Sequence, residues 1–142
     1  GNGLAVFANA SRNYAKTNNP GTTHTQLANA PLWTAAGGVL FKSGPIKLSL
    51  IDKYTGHQYA ADGEPAAYRI AGYNTAILSA RYDFGHVRVG VEINDLFDST
   101  RVTNIAPGKA YTDATTKLVS QPYDQYFYQP GRSVTGDITV SF

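Results

Sequence analysis

From Ser133 to Phe142 the chain alternates without a break. Val134, Gly136, Ile138, Val140 and Phe142 are apolar or small, and Ser133, Thr135, Asp137, Thr139 and Ser141 are polar. A period of two is what a β-strand gives when one face meets an apolar medium and the other meets polar surroundings. The same alternation recurs upstream. Leu4, Val6, Ala8 and Ala10 oppose Phe7, Asn9, Ser11 and Asn13, and Trp33, Ala35, Val39 and Phe41 oppose Thr34, Ala36 and Gly38. Ile46, Leu48, Leu50 and Tyr54 alternate with Lys47, Ser49, Lys53 and Thr55. Ala76, Leu78, Ala80 and Tyr82 are set against Asn74, Ser79 and Arg81, with Ile77 out of phase on the polar side. The clearest repeat is Val87, Val89, Val91 and Ile93 against Arg88, Gly90, Glu92 and Asn94.

The pattern predicts six meandering strands at about 4–14, 31–41, 46–57, 72–83, 87–97 and 132–142. Lys42-Ser43-Gly44-Pro45 and Asp83-Phe84-Gly85-His86 are tight turns by composition. The other three connections are long and polar: 15–30, a loop containing Asp62-Gly63-Glu64-Pro65, and 98–129. Long and short connections therefore alternate, which places every long loop at one end of the strands. That parity, with strands of about ten residues, is expected of outer-membrane barrels, whose periplasmic turns are short and extracellular loops long. Trp33 and Tyr14 fall near the long loops, and Phe41, Tyr82, Phe84 and Phe142 near the short turns, where interfacial aromatic girdles are expected. Lys47, Arg88, Glu92 and Asn94 lie mid-strand on the polar face, where a wet lumen would accommodate them and a packed core would not. The fold class expected is thus all-β: an antiparallel transmembrane β-barrel segment. A soluble β-sandwich or lipocalin-like barrel is the competing architecture, since alternating strands also build those.

Composition narrows the function classes. In 142 residues, 42% are hydrophobic and 15% charged, with a net charge of +2. So low and balanced a charge disfavours a nucleic-acid binder held by phosphate contacts. No apolar run is long enough for a spanning helix. Gly1-Asn2-Gly3 has the look of a turn and none of an export signal. The absence of Cys removes disulfides and thiolate metal sites. His24, His57 and His86 are far apart, and Asp52, His57 and Asp98 come with no serine elbow, zinc-helix spacing or phosphate loop. No enzyme, cofactor or metal is expected. The sequon Asn9-Ala10-Ser11 falls inside a strand and carries no meaning there.

Four stretches carry a family resemblance: 29–38 (NAPLWTAAGG), 52–59 (DKYTGHQY), 91–98 (VEINDLFD) and 129–134 (QPGRSV), followed by the closing Phe142. In this order and spacing the chain resembles the carboxyl-terminal barrel region of TonB-dependent outer-membrane receptors. The most specific elements are Asn94-x-Leu96-Phe97-Asp98 and Pro130-Gly131-Arg132. The resemblance implies that residues 1–142 are part of a barrel of about 22 strands with a plugged lumen, the plug and earlier strands lying outside this chain. It implies active import of a scarce nutrient such as a ferric siderophore, in the bacterial outer membrane, with TonB reached through the plug. Its other implied partners are outer-membrane lipid, the small ligand and the barrel assembly machinery, which reads the last strand as an address. Val134, Ile138, Val140 and Phe142 match that address, and Gly136 is smaller than the pattern asks. A passive porin-like channel is the alternative within the same fold, with Lys47, Arg88 and Glu92 tuning lumen charge.

Six strands fall short of the roughly eight of the smallest outer-membrane barrels. The chain is therefore expected to continue into further strands or to pair its edges with other chains. Ligand contacts are expected from the long loops, at His24, Tyr59, Tyr68, Arg69, Tyr123, Tyr126 and Tyr128, since aromatic and arginine side chains dominate recognition energy. The competing reading of the same tyrosines is that they are interface anchors or loop-packing residues.

Overall fold

The computed structural model describes residues 2–17, 25–64, 66–106, 108, 111–112, 115, 119–120 and 123–142. Six strands form one antiparallel sheet: β1 (Gly3–Arg12), β2 (Trp33–Ser43), β3 (Ile46–Thr55), β4 (Tyr73–Asp83), β5 (Val87–Asn94) and β6 (Ser133–Val140). Neighbours in sequence are neighbours in the sheet. The chain is a plain meander with β1 and β6 at its two edges. These edges do not pair with each other, so the sheet is open.

Register makes each face continuous, because residues directly opposite one another point the same way. One row reads Val6, Val39, Leu50, Leu78, Ile93 and Val134, from one edge to the other. The next row reads Leu4, Phe41, Leu48, Ala80, Val91 and Gly136. The aliphatic side chains of six strands thus share one surface, as the alternation requires. That surface is uncovered. Leu4, Val6, Leu48, Leu50, Val91 and Ile138 are all exposed, and the only buried hydrophobic residues among those described are Ile70, Ala76 and Ile105.

The opposite face carries Lys42, Lys47, Ser49, Lys53, Ser79, Arg81, Arg88, Glu92, Asn94, Thr135 and Asp137. It includes a small apolar island of Phe7, Leu40, Ile51 and Ile77, which accounts for the out-of-phase Ile77. Gly38 lies between Phe7 and Ile51, and its missing side chain leaves room for the Phe7 ring. A Cβ there would stand 2.7 Å from the ring edge and 2.9 Å from the Leu50 carbonyl.

Asn74 departs from expectation. Placed on the polar face by the sequence reading, it pairs with Tyr54 and so lies on the apolar face. There its amide donates to Asp52 Oδ2 at 2.6 Å, making a polar notch toward the long-loop end. Small residues surround the notch: Ala35, Gly37 and Ala76 are the cross-strand neighbours of this pair or its flanks.

Both tight turns fall where composition places them. Gly44 and Gly85 take φ of 53° and 87°, the left-handed region that glycine enters without penalty. Asp83 Oδ1 accepts the Gly85 N–H at 3.0 Å, so the side chain closes the second turn. Tyr82 and Phe84 stack beside it with ring centroids 4.4 Å apart.

The fifth strand ends at Asn94, three residues before the predicted 97, for a local reason. Asp95 and Asp98 both have positive φ, 51° and 52°, which turns the chain out of the sheet. Asp95 Oδ2 accepts the Ser99 N–H at 2.9 Å, and Asp98 Oδ1 accepts the Arg132 N–H at 2.9 Å. The two motifs that carry the resemblance are therefore in contact: the Asp of Asn-x-Leu-Phe-Asp clasps the Arg of Pro-Gly-Arg. Short acidic side chains suit both tasks, since they tolerate left-handed backbone and reach nearby N–H groups. The third strand likewise stops at 55, two residues short of 57, and Gly56 N–H donates to the Trp33 carbonyl at 2.7 Å.

Candidate functional site

All long connections emerge at one end of the sheet, opposite the two tight turns. They carry structure that no sequence period announces. Gln58–Tyr59 pairs with Arg69–Ile70, and a single 3-10 turn, Ala66–Tyr68, leads into the second arm. Val102–Ala106 pairs with Gln125–Tyr128, with an irregularity between Phe127 and Tyr128. Tyr111–Thr112 pairs with Val119–Ser120. Ile70 and Ile105, 2% and 5% exposed, are where the first two ribbons become a small packed unit. Gln58, also buried, fixes them together by donating from Nε2 to the Thr103 carbonyl at 3.2 Å.

Between these ribbons lies a cleft of about 390 Å³. Ile70 and Ile105 contribute its apolar lining, and Arg69, Arg101, Tyr126 and Tyr128 its polar rim. Among the described residues, neither arginine has an acidic partner. The one ion pair among the described residues is Arg88 with Asp83, at 3.3 Å on the far end of the sheet. Two guanidiniums and two phenols around an apolar floor can hold a ligand that is both anionic and flat, through charge-assisted hydrogen bonds and stacking. Tyr68 stands next to this unit. Its hydroxyl donates to Asp124 Oδ1 at 3.5 Å, and the same oxygen accepts the Gly108 N–H at 2.9 Å. Partial desolvation, and then the neighbouring Asp124 carboxylate, hold the Tyr68 phenol above its ordinary pKa. It therefore stays a hydrogen-bond donor.

A second cleft of about 240 Å³ opens beside β1 and β2 and is lined by Arg12, Tyr14, Lys16, His57, Tyr59 and Glu64 among others. Arg12 stacks its guanidinium over the Tyr14 ring at 4.5 Å and the Trp33 ring at 5.3 Å. Glu64 Oε1 is already engaged with the Gln26 N–H at 2.7 Å. His57 meets Tyr59 edge to face at 6.4 Å. This cleft is a self-satisfied joint more than an open binding surface.

The expected ligand residues thus divide. Arg69, Tyr126 and Tyr128 converge on one cleft, with Tyr68 adjacent; Tyr59 lines the other. Tyr123 is 86% exposed and lines neither. His24 lies outside the described residues. Arg101, Ile70 and Ile105 complete the first cleft and escaped the sequence reading, which took 98–129 as one featureless loop. Residues 102–106 read Val-Thr-Asn-Ile-Ala, with no alternation of apolar and polar positions to mark a strand. Lys47, Arg88, Glu92 and Asn94 lie on one face of the sheet. Among the described residues, no three His, Asp or Glu gather into a metal-binding group. No protein-family model matches the chain, and neither does any curated protein.

Proposed function

We propose that this chain is wall of an outer-membrane β-barrel, continued by strands outside these 142 residues, in a TonB-dependent receptor that imports a scarce nutrient such as a ferric siderophore. The observation that carries the reading is the uncovered aliphatic face spanning all six strands. In water such a face is unfavourable by about 25 cal/mol per Å² of apolar surface. Against acyl chains it is at rest, and Ala and Gly on it need no interlocking partner. The polar second face, the aromatic ends and the single-ended long loops fit the same orientation. Open edges at β1 and β6 ask for further strands, since unpaired backbone in hydrocarbon costs several kcal/mol per group.

In this reading the loop end faces outward and the Arg69, Arg101, Tyr126 and Tyr128 cleft is first to meet ligand. The sequence resemblance supplies the energised mode of transport, and TonB dependence tests it. Uptake by cells expressing the full-length protein should collapse when TonB is deleted, and the purified barrel should conduct little in a planar bilayer. Uptake that persists without TonB, together with steady conductance, would assign the protein to passive channels instead.

A further inference from the structure

The apolar face is interrupted at one place, where it is neither oily nor bulky. Asp52 stands between Gly37 on β2 and Ala76 on β4 in its cross-strand row, and Ala35 lies in the next row toward the loops. Asn74 donates to Asp52 Oδ2 at 2.6 Å. Among the described residues no other hydrogen bond reaches either side chain, and Asp52 Oδ1 is buried without a donor. Asn74 itself is exposed, with its second N–H and its own Oδ1 unused among the described residues. The Tyr54 ring leaves the notch open by lying toward the loops, where a Cβ on Gly72 would stand 2.7 Å from its hydroxyl. A carboxylate with a single donor is costly on a surface that meets acyl chains, and an ionisable residue there marks a contact with something other than lipid.

We infer that the Asp52 and Asn74 notch is where a second copy of this chain packs against the wall. The inference rests on the membrane reading, because copies inserted the same way round can pack face to face symmetrically only about a two-fold axis along the membrane normal. With that axis passing between β3 and β4, a group to its left in one copy meets a group to its right in the other, at the same depth. Asp52 and Asn74 lie on either side of it, and their hydrogen bond holds their polar ends at one level. Asp52 of each copy therefore faces Asn74 of the other, and the unused N–H of each amide closes a ring of the four side chains. A second copy brings the complementary pair automatically. Gly37 and Ala76, flanking Asp52, let the two backbones approach, as close packing in membranes requires. Association follows the density of copies, so in dilute lipid the same face meets acyl chains.

The test is a short bis-maleimide link between single cysteines in the full-length protein, cleared of other cysteines and kept in its own membrane. Tyr54→Cys, beside the axis, should give covalent dimers joined at position 54, and Ile138→Cys, on the same face at the far edge, should not. Relative to the amount of assembled protein, Asn74→Ala should lower the yield at position 54 by about tenfold, the equivalent of two reciprocal contacts. Asn74→Asp should abolish it by setting carboxylates against each other, and adding Asp52→Asn should restore it, since donors and acceptors then only trade places. A yield at position 54 no greater than at 138, one unmoved by Asn74→Asp, or one not restored by the exchange would each overturn the inference. Oxygen access to nitroxides at positions 48 and 50 in dilute lipid tests the membrane reading by itself, so the two failures are told apart.

Discussion

A single arginine placed at three positions separates the two faces of the sheet and, on the apolar face, its middle from its end. The strand β3 has ten residues. At about 3.3 Å per residue and a tilt of about 45° it covers about 23 Å, close to the apolar band of about 25 Å in outer-membrane barrels. Leu50 is the fifth of those ten and sits in the row that runs Val6, Val39, Leu50, Leu78, Ile93 and Val134, near mid-depth. Leu50→Arg should therefore destabilise folding into bilayers by about 2–4 kcal/mol, or about 30- to 900-fold in the folded ratio. Tyr82 faces the same way but pairs with Ile46 at the turn end, so Tyr82→Arg should cost only about 0–1 kcal/mol. Ser49→Arg, one residue from Leu50 but on the other face, should stay within about 0.5 kcal/mol. The assay is urea-dependent folding of the full-length protein into lipid vesicles. Equal costs at Leu50 and Ser49 would refute the assignment of faces. Equal costs at Leu50 and Tyr82 would refute a membrane and favour a packed core, which has no depth scale.

Three further outcomes are expected. Asp98→Ala removes the acceptor of the Arg132 N–H and places alanine at φ 52°; it should lower stability by about 2 kcal/mol in the same urea titration, and Asp98→Asn, which tolerates that backbone, by less. Deleting Phe142 should reduce the amount of full-length protein assembled in the outer membrane, and unchanged surface levels would count against a role for the last strand as an assembly address. The Tyr68 phenol is held above the ordinary tyrosine value of about 10 by desolvation and Asp124. The stability this contact contributes is present in full below that ordinary value and is lost as pH rises through the raised one. An ultraviolet titration should show Tyr68 ionising late, and Asp124→Asn should move it toward the ordinary value without reaching it, because the desolvation remains.

What the sequence made legible was whatever obeys a period of two. All six long strands were found within a few residues because one face is apolar along nearly their whole length, and the turn glycines at 44 and 85 marked two ends sharply. Where side-chain chemistry outweighed periodicity, the reading slipped. Asp95 and Asp98 bend the chain out of the sheet through left-handed backbone, so the fifth strand is shorter than its pattern. Asn74 was assigned by polarity and not by register, and it lies with Asp52 in a notch of the apolar face. The loop cleft was half visible: Arg69, Tyr126 and Tyr128 were singled out by residue type, and Arg101 was not. Ribbons of two to five residues have no period to detect, and the burial of Ile70 and Ile105 arises only when two such ribbons meet.

The central claim is that the aliphatic face meets hydrocarbon and the polar face meets water. These 142 residues contain no Cys, so, with any cysteine outside them replaced, single cysteines can be placed along β3 and labelled with a nitroxide in the full-length protein reconstituted in lipid. Relaxation by oxygen and by a water-soluble nickel complex should then alternate with period two, oxygen dominating at positions 48 and 50 and nickel at 47 and 49. Nickel access at all four positions, or oxygen and nickel both excluded at 48 and 50, would contradict the account.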